Sequence, residues 1–365
     1  MRQVIVQVVQ HLAPGGIECM VLDLLQHATA EQQVYVVSLE GTAAQLHNWP
    51  RLQPFAARLF FLDKQPGWQL SLVWRLRQLL RRLGAQLVHS HHIGPLLYGG
   101  LAARLAGVPR LLHTEHDAWH LHSRKRRYLA GMLLGCVRPR LVVDSQQVSR
   151  SLAQLLPGRP SQVVLNGIDV QRFSPGCQTL ARQALGLPLG VQLIGCAARL
   201  HEVKGHVTLL DALLRLPPNV HLALAGSGPL KAQLAQQAAD LGQQHRVHFL
   251  GHVEAMADFY RALDVFCLAS FNEGMPLCLL EAQACGVPVV ASDVGGVAEA
   301  VCPVTGVLLA AGQSLELAWA LRQQLGRRLV QSPRQFVLKG KTVEHMVQAY
   351  AQLGQPVIAG VSHGH

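Results

Sequence analysis

The chain has 365 residues, half of them apolar, and carries 32 Lys+Arg against 21 Asp+Glu for a formal net charge of +11. That length accommodates two domains with separate cores. Charges or Gly and Pro interrupt every apolar run of about 18–20 residues, which excludes a transmembrane helix, and the opening run is short and β-rich rather than leader-like, so a cytosolic location is expected.

In chain order, the first half alternates apolar β-rich runs with amphipathic stretches. Strands are predicted over Val4–Val9, Val34–Leu39, Leu59–Leu62, Leu87–His89, Arg110–Thr114, Leu141–Val143 and Val163–Leu165. Helices are predicted over about Gly16–Ala28, Gln69–Leu83, Gly94–Ala106, Arg124–Cys136 and Gln146–Leu156. A break follows across Asn166–Pro188, where Gly167, Pro175, Gly176, Gly186 and Pro188 fall without periodicity. Beyond it, strands are predicted at Val191–Ala197, His221–Ala225, Val247–Leu250, Val265–Leu268, Val289–Ala291 and Val307–Leu309, and Thr342–Leu353 reads as a final helix. Nearly continuous apolar strands separated by helices indicate parallel sheets covered on both faces. The expected organisation is α/β, with two doubly wound Rossmann-like domains facing a central cleft: 1–170, 171–340, and a helix and tail over 341–365 that packs back on the first domain. Ligands of such sheets bind beyond the carboxyl ends of the strands.

Four strand-to-helix turns of the second half carry candidate chemistry. In Cys196-Ala-Ala-Arg199-Leu-His-Glu-Val-Lys204-Gly205, a guanidinium, an ammonium and a helix start follow one strand. Together they suit a diphosphate, because charge-assisted hydrogen bonds and the helix dipole act in concert. Alone, the motif reads almost as well as two solvated loop cations. In Glu273-Gly274-Met275-Pro276-Leu277-Cys-Leu-Leu-Glu281, Pro276 suits a first helical turn and Gly274 a close approach before it, so the amides of about 274–277 point at whatever binds. Glu281 lies inside an otherwise apolar helix, where an ionised carboxylate needs partners such as sugar or ribose hydroxyls, or a local cap. Ala225-Gly226-Ser-Gly228 and Ser292-Asp-Val-Gly295-Gly296 complete the set, each a weak signal singly.

With the Gly15-Gly16 loop, Thr114-Glu-His116-Asp117 and Asn166-Gly-Ile-Asp169, this ordered set resembles the retaining GT-B-type group 1 glycosyltransferases, the large family that includes sucrose and glycogen synthases and bacterial mannosyl- and glucosyltransferases. The resemblance covers essentially the whole chain. It implies that Arg199 and Lys204 hold the donor diphosphate and neutralise the leaving group. Glu281 would bind ribose hydroxyls, and Glu273 with the following segment, Gly274, Met275, Pro276 and Leu277, through the backbone amides it offers, would hold the transferred sugar. Gly15 and Gly16 would bring the first helix to the phosphates and acceptor, and His116 would sit over the donor sugar as a catalytic group. The nucleobase would lie near Gly226, His252 and Val253. The expected substrates are a UDP- or GDP-sugar and a glycan or lipid-linked acceptor in surface polysaccharide or lipopolysaccharide synthesis. No cofactor is expected, and no metal is required, since no Asp-x-Asp motif is present.

Other signals are weaker. Histidines crowd 89–122, and His116 and His120 stand four apart, but they follow a strand and lack a third ligand at diagnostic spacing. The eight cysteines stand singly and read as small core hydrophobes. Residues 1–175 hold 19 Lys+Arg against 9 Asp+Glu, whereas 176–365 hold 13 against 12, so the basic excess belongs to one half. Two of its stretches, Leu72–Arg82 and Ser123–Leu134, mix cations with apolar and aromatic residues as membrane-surface helices do, although each also reads as an ordinary core-packed helix. Peripheral contact with an anionic inner membrane is the expectation. Competing readings are a sugar-nucleotide epimerase of related shape and a basic nucleic-acid-binding protein. The second is disfavoured by the scarcity of aromatics in those stretches and by the lack of a recognised binding motif. A dinucleotide-dependent dehydrogenase is weaker still, because no GxGxxG follows the first strand.

Overall fold

The computed structural model describes residues 2–355. Its strands are β1 (Gln3–Val9), β2 (Gln32–Ser38), β3 (Leu59–Phe61), β4 (Leu87–His91), β5 (Arg110–Glu115), β6 (Arg140–Val143), β7 (Ser161–Val163), β8 (Gln192–Ala197), β9 (Val220–Ala225), β10 (Val247–Gly251), β11 (Val265–Leu268), β12 (Val289–Ser292) and β13 (Val307–Leu309). They form a seven-stranded sheet in the order β3-β2-β1-β4-β5-β6-β7 and a six-stranded sheet in the order β10-β9-β8-β11-β12-β13. All pairings are parallel; Ile5 faces Val34 on one side and Leu87 on the other, and Ile194 faces Leu222 and Val265. Both are doubly wound Rossmann-like sheets. Strand order reverses between β1 and β4 in one and between β8 and β11 in the other, and these two switch points are where crevices open.

Buried side chains on both faces account for the parallel arrangement. Val6, Val8, Val37 and Val88 sit in a cluster with Leu72, Leu76 and Leu80 of the helix Leu70–Leu83. In the second sheet Ile194, Leu222 and Val265 pack with Leu209, Leu213 and Leu321. The expectation of separate cores needs one amendment. A third buried cluster runs through both halves, from Met20 and Leu24 of the helix Gly16–Gln26 to Phe259, Leu280 and Met275. Each fully buried Leu or Phe contributes about 1.5–3 kcal/mol, so this shared layer holds the halves in register.

The chain crosses between the halves twice at one place. The amide of Ile168 donates to Lys341 O (3.1 Å) and the amide of Val343 to Ile168 O (2.9 Å). The final helix, Val343–Leu353, then lies on the first sheet, where the hydroxyls of Tyr350 and Thr114 are 3.1 Å apart and Arg140 Nη1 donates to Leu353 O at 2.7 Å. A short helix at Gln178–Ala184, inside the stretch read as a break, buries Arg182 against Asp264 (2.8 Å).

Candidate active site

The C-terminal wall of the cleft is built at the ends of β8 and β11. After β8 the chain runs through Arg199 to Lys204, and Gly205 takes φ 65°, where an added Cβ would collide with Ala269 O just past β11. This close approach carries Lys204 to the loop that follows β11. Lys204 Nζ donates to Glu273 Oε1 at 2.7 Å, and Ser270 Oγ donates to the same oxygen at 2.6 Å. The two residues assigned separate tasks by resemblance therefore form one ion pair. Arg199 is exposed and makes no hydrogen bond or ion pair among the described residues.

The helix Leu277–Ala284 starts one residue later than the sequence indicates: Pro276 is its N-cap, extended at φ −75°, ψ 120°. Met275 and Leu277 are buried, so they offer the cleft their backbone rather than their side chains. Glu281 does find a partner inside the protein, since Tyr260 Oη donates to its Oε2 at 2.5 Å. Burial raises its pKa above the usual carboxylate value, with the Tyr260 bond and the Arg172 charge opposing. Gly226 adopts φ 141° against Ala198 O, and its amide donates to Gly251 O at 2.7 Å, which joins two of the predicted base-binding turns. Val253 is partly buried, while His252 is exposed and turned 3.6 Å from Glu254.

The N-terminal wall is built at the ends of β1, β4, β5 and β6. Gly15 caps the helix Gly16–Gln26, and a Cβ there would strike the Glu18 carboxylate, which is buried and 3.2 Å from His11 Nδ1. That carboxylate fills the space over the first turn. His92, at the switch point, has φ 69° and ψ 170°, a conformation that costs a non-glycine residue of order 1–3 kcal/mol. Glu115 Oε2 lies 2.9 Å from His113 Nε2, and its Oε1 lies 3.6 Å from His92 Nδ1 and 3.2 Å from His120 Nε2. Burial pushes the Glu115 carboxyl upward, but the surrounding histidines outweigh it and hold it well below the carboxylate range. Burial alone would lower His92; Glu115 reverses this and raises it.

His116 is also buried. Its Nε2 is 3.1 Å from His91 Nδ1, and its Nδ1 is 3.5 Å from Asp144 Oδ2. Both ring nitrogens are thus engaged within the protein. The two walls touch here, because a Cβ on Gly274 would collide with His116 O, and Asn166 Nδ2 donates to Met275 O at 3.2 Å. Further along, Glu299 accepts from the amides of Gln146 and Gln147 (2.9 Å each), capping a helix of the opposite half. Sequence reasoning did not single out Asp144, Glu18, Ser270 or Tyr260. Asp144 had a readable signal, a carboxylate directly after an apolar strand, the same placement that marks Arg199.

A model of the glycosyl transferases group 1 matches residues 178–355, and one of glycosyltransferase family 4 matches 14–172. The D-inositol 3-phosphate glycosyltransferase of Geodermatophilus obscurus is 33% identical over 305 residues, covering 75% of this chain and 68% of that protein. The protein of the same name from Saccharomonospora viridis is 33% identical over 64% of this chain, which spans only 61% of its length. The crystal structure of Anabaena Alr3699/HepE in complex with UDP and glucose superposes with a TM-score of 0.84 at 25% identity, over 96% of this chain and 99% of that one. Sucrose-phosphate synthase from Thermosynechococcus elongatus shares the fold, with a TM-score of 0.77 at 21% identity over 96% and 98% of the two chains. The chain belongs to the group 1 glycosyltransferases and has their GT-B fold; it is an enzyme, a glycosyltransferase.

Proposed function

We propose that this enzyme moves a hexose, with retention of anomeric configuration, from a UDP- or GDP-sugar to a glycan or lipid-linked acceptor in surface polysaccharide or lipopolysaccharide synthesis. The observation that carries the donor assignment is the Lys204–Glu273 pair (2.7 Å) beside Arg199, which has no partner among the described residues, at the carboxyl ends of β8 and β11. The binding of UDP and UDP-glucose by HepE supports a uridine donor.

In this reading the donor diphosphate draws Lys204 away from Glu273 and shares it with Arg199. Glu273 is then free to accept from sugar hydroxyls, beside the amides at 274–277. The bond between the anomeric carbon and the diphosphate oxygen breaks, and its electron pair leaves with the nucleotide. The acceptor hydroxyl attacks from the same face and gives its proton to the leaving phosphate oxygen. Arg199, Lys204 and the amides stabilise the charge that develops, which in a preorganised, water-poor site is the largest catalytic contribution. No divalent ion enters this reading, because those groups supply the positive charge. Glu281, with Tyr260 on one oxygen, offers the other to ribose hydroxyls. Gly226, His252 and Val253 border the base, while Gly15, Gly16 and His116 face the sugar and acceptor. Glucosyl and mannosyl donors are separated by a thermal-shift panel, in which a ligand at roughly 100 times its dissociation constant adds about 2.7 kcal/mol. Release of nucleoside diphosphate that requires an acceptor separates this activity from epimerisation. If Lys204→Ala and Glu281→Ala both turned over at the wild-type rate, the donor assignment would be wrong.

The acceptor end rests on the first half's surface. Trp74 and Tyr128 are 55% and 77% exposed, with Trp68, Leu70, Trp119 and Met132 also outward, among Arg75, Arg81, Arg82, Arg124, Lys125 and Arg126. Aromatic side chains interleaved with cations suit an anionic bilayer surface, where each cation contributes about 1 kcal/mol. Among the described residues, no helix is long and apolar enough to cross a membrane. We place the enzyme in the cytoplasm, peripheral to the inner face. Co-sedimentation with phosphatidylglycerol vesicles but not phosphatidylcholine vesicles is the expected result, and equal partitioning would remove the membrane from the account.

A further inference from the structure

We propose that Asp144 is a positioning residue whose buried carboxylate sets the proton placement and orientation of His116 and ties that histidine to the Glu273–Pro276 loop of the opposite half. The proposal rests on the reading of His116 as a group that faces the donor sugar.

Asp144 follows β6 and is 2% exposed. Its Oδ2 is approached from three directions: by His116 Nδ1 at 3.5 Å, by Asn166 Nδ2 at 3.3 Å and by the amide of Met275 at 3.4 Å. These come from the first half, the crossover segment and the second half. Its Oδ1 is buried without a hydrogen-bond partner among the described residues, so the carboxylate is held by one oxygen that all three share. Long contacts to a shared oxygen describe an arrangement with room to tighten as the cleft closes on substrate.

The chemistry fixes a proton. A carboxylate oxygen accepts, so in this proposal His116 presents Nδ1–H to Asp144, across a 3.5 Å separation that is long for a hydrogen bond. His116 Nε2 then either donates to His91 Nδ1, in a doubly protonated His116 ring, with His91 Nε2–H donating to Gln7 Oε1 (2.9 Å), or accepts from His91 Nδ1–H with the Gln7 amide turned so that its nitrogen faces His91 Nε2. Both arrangements keep the proton on Nδ1. The alternative, Nδ1 with its lone pair aimed at the carboxylate, sets two acceptors against each other in a buried site. The same oxygen accepts the Met275 amide, so a displacement of the donor loop is felt at His116 directly. His116 is the residue that faces substrate in the proposed reading; Asp144 acts through it.

The unmodified protein tests the proton placement. With ¹⁵N-labelled histidine, and His116 assigned by comparison with His116→Ala, the Nδ1 shift of His116 is expected in the protonated range at neutral pH. An unprotonated Nδ1 overturns the proposal. The functional test is a double-mutant cycle with UDP-glucose as donor. Asp144→Asn is expected to lower kcat about tenfold or more while donor KM changes less than threefold, and to add nothing in the His116→Ala background. Multiplying effects in the double variant overturn it. If His116→Ala alone left kcat unchanged, the role given to His116 would fall, while the nitrogen shift would still decide where Asp144 holds the proton.

Discussion

The two walls of the cleft treat their polar groups in opposite ways. On the second half's wall the charges are offered: Arg199 stands in solvent, and Lys204 is paired, among the described residues, only with Glu273. On the first half's wall they are consumed. Glu115 is surrounded by His92, His113 and His120, His116 lies between His91 and Asp144, and Glu18 occupies the space above the first helix. An offered charge waits for an anionic ligand, whereas a consumed one holds shape. The contrast assigns donor binding to one wall and preorganisation to the other, and each of the following changes strains or sharpens it.

The largest effect is expected on the offering wall. Lys204→Ala should lower turnover by about 10²–10³, the usual loss when one preorganised stabiliser of transition-state charge is removed. Steady-state kinetics with acceptor present measures it, and a loss under threefold would erase the distinction. His116→Ala, on the consuming wall, should cost about 10²-fold in kcat with little change in donor KM. Glu281→Gln keeps shape but gives up a charge, and donor KM should rise about tenfold, or about 1.4 kcal/mol. Tyr260→Phe should have a smaller effect, because the carboxylate loses one of its donors rather than its own function.

Stability against pH reads the buried histidines, of which His89 and His91 lie in the first half and His206, lowered by burial to about 4, lies in the second. Burial lowers His89 and His91 well below the histidine value of 6.5, so the unfolded chain binds more protons than the folded one just below that pH. Stability should therefore fall as pH drops below about 6.5, by about 1.4 kcal/mol per pH unit for each histidine until its folded value is reached. Thermal unfolding between pH 7.5 and 5 follows this, and His91→Gln should flatten the slope if it folds. The smallest effect lies outside the cleft: Arg81→Gln with Arg82→Gln should weaken vesicle binding a few-fold without changing kcat on a water-soluble acceptor.

Most of the fold was legible because parallel strands buried on both faces leave continuous apolar runs. Val191–Ala197, for example, is found as Gln192–Ala197, and Val265–Leu268 falls where expected. The helix Gln178–Ala184 was hidden, since seven residues between glycines and prolines are too few to display a period. The run Gly94–Ala106 read as one helix, but Leu96–Gly100 within it is a π-type turn that periodicity does not register. At the site, positions were readable where a motif sits at one strand end, as with Arg199, Lys204, Glu273 and Glu281. Pairings were not. The bonds from Tyr260 to Glu281, from Met275 to Asp144 and from Gln146 to Glu299 join residues 21, 131 and 153 positions apart, and only the folded chain brings them together. The strained backbone of His92 is equally silent in sequence, because nothing about a histidine announces a positive φ.

The division between the walls is tested most directly by measuring donor affinity apart from turnover. Calorimetric titration of UDP-glucose, or of whichever sugar nucleotide gives the largest thermal shift, into wild type, Lys204→Ala and His116→Ala suffices. The account predicts a loss of tenfold or more in affinity for Lys204→Ala and less than threefold for His116→Ala. Equal losses, or the larger loss for His116→Ala, would contradict it.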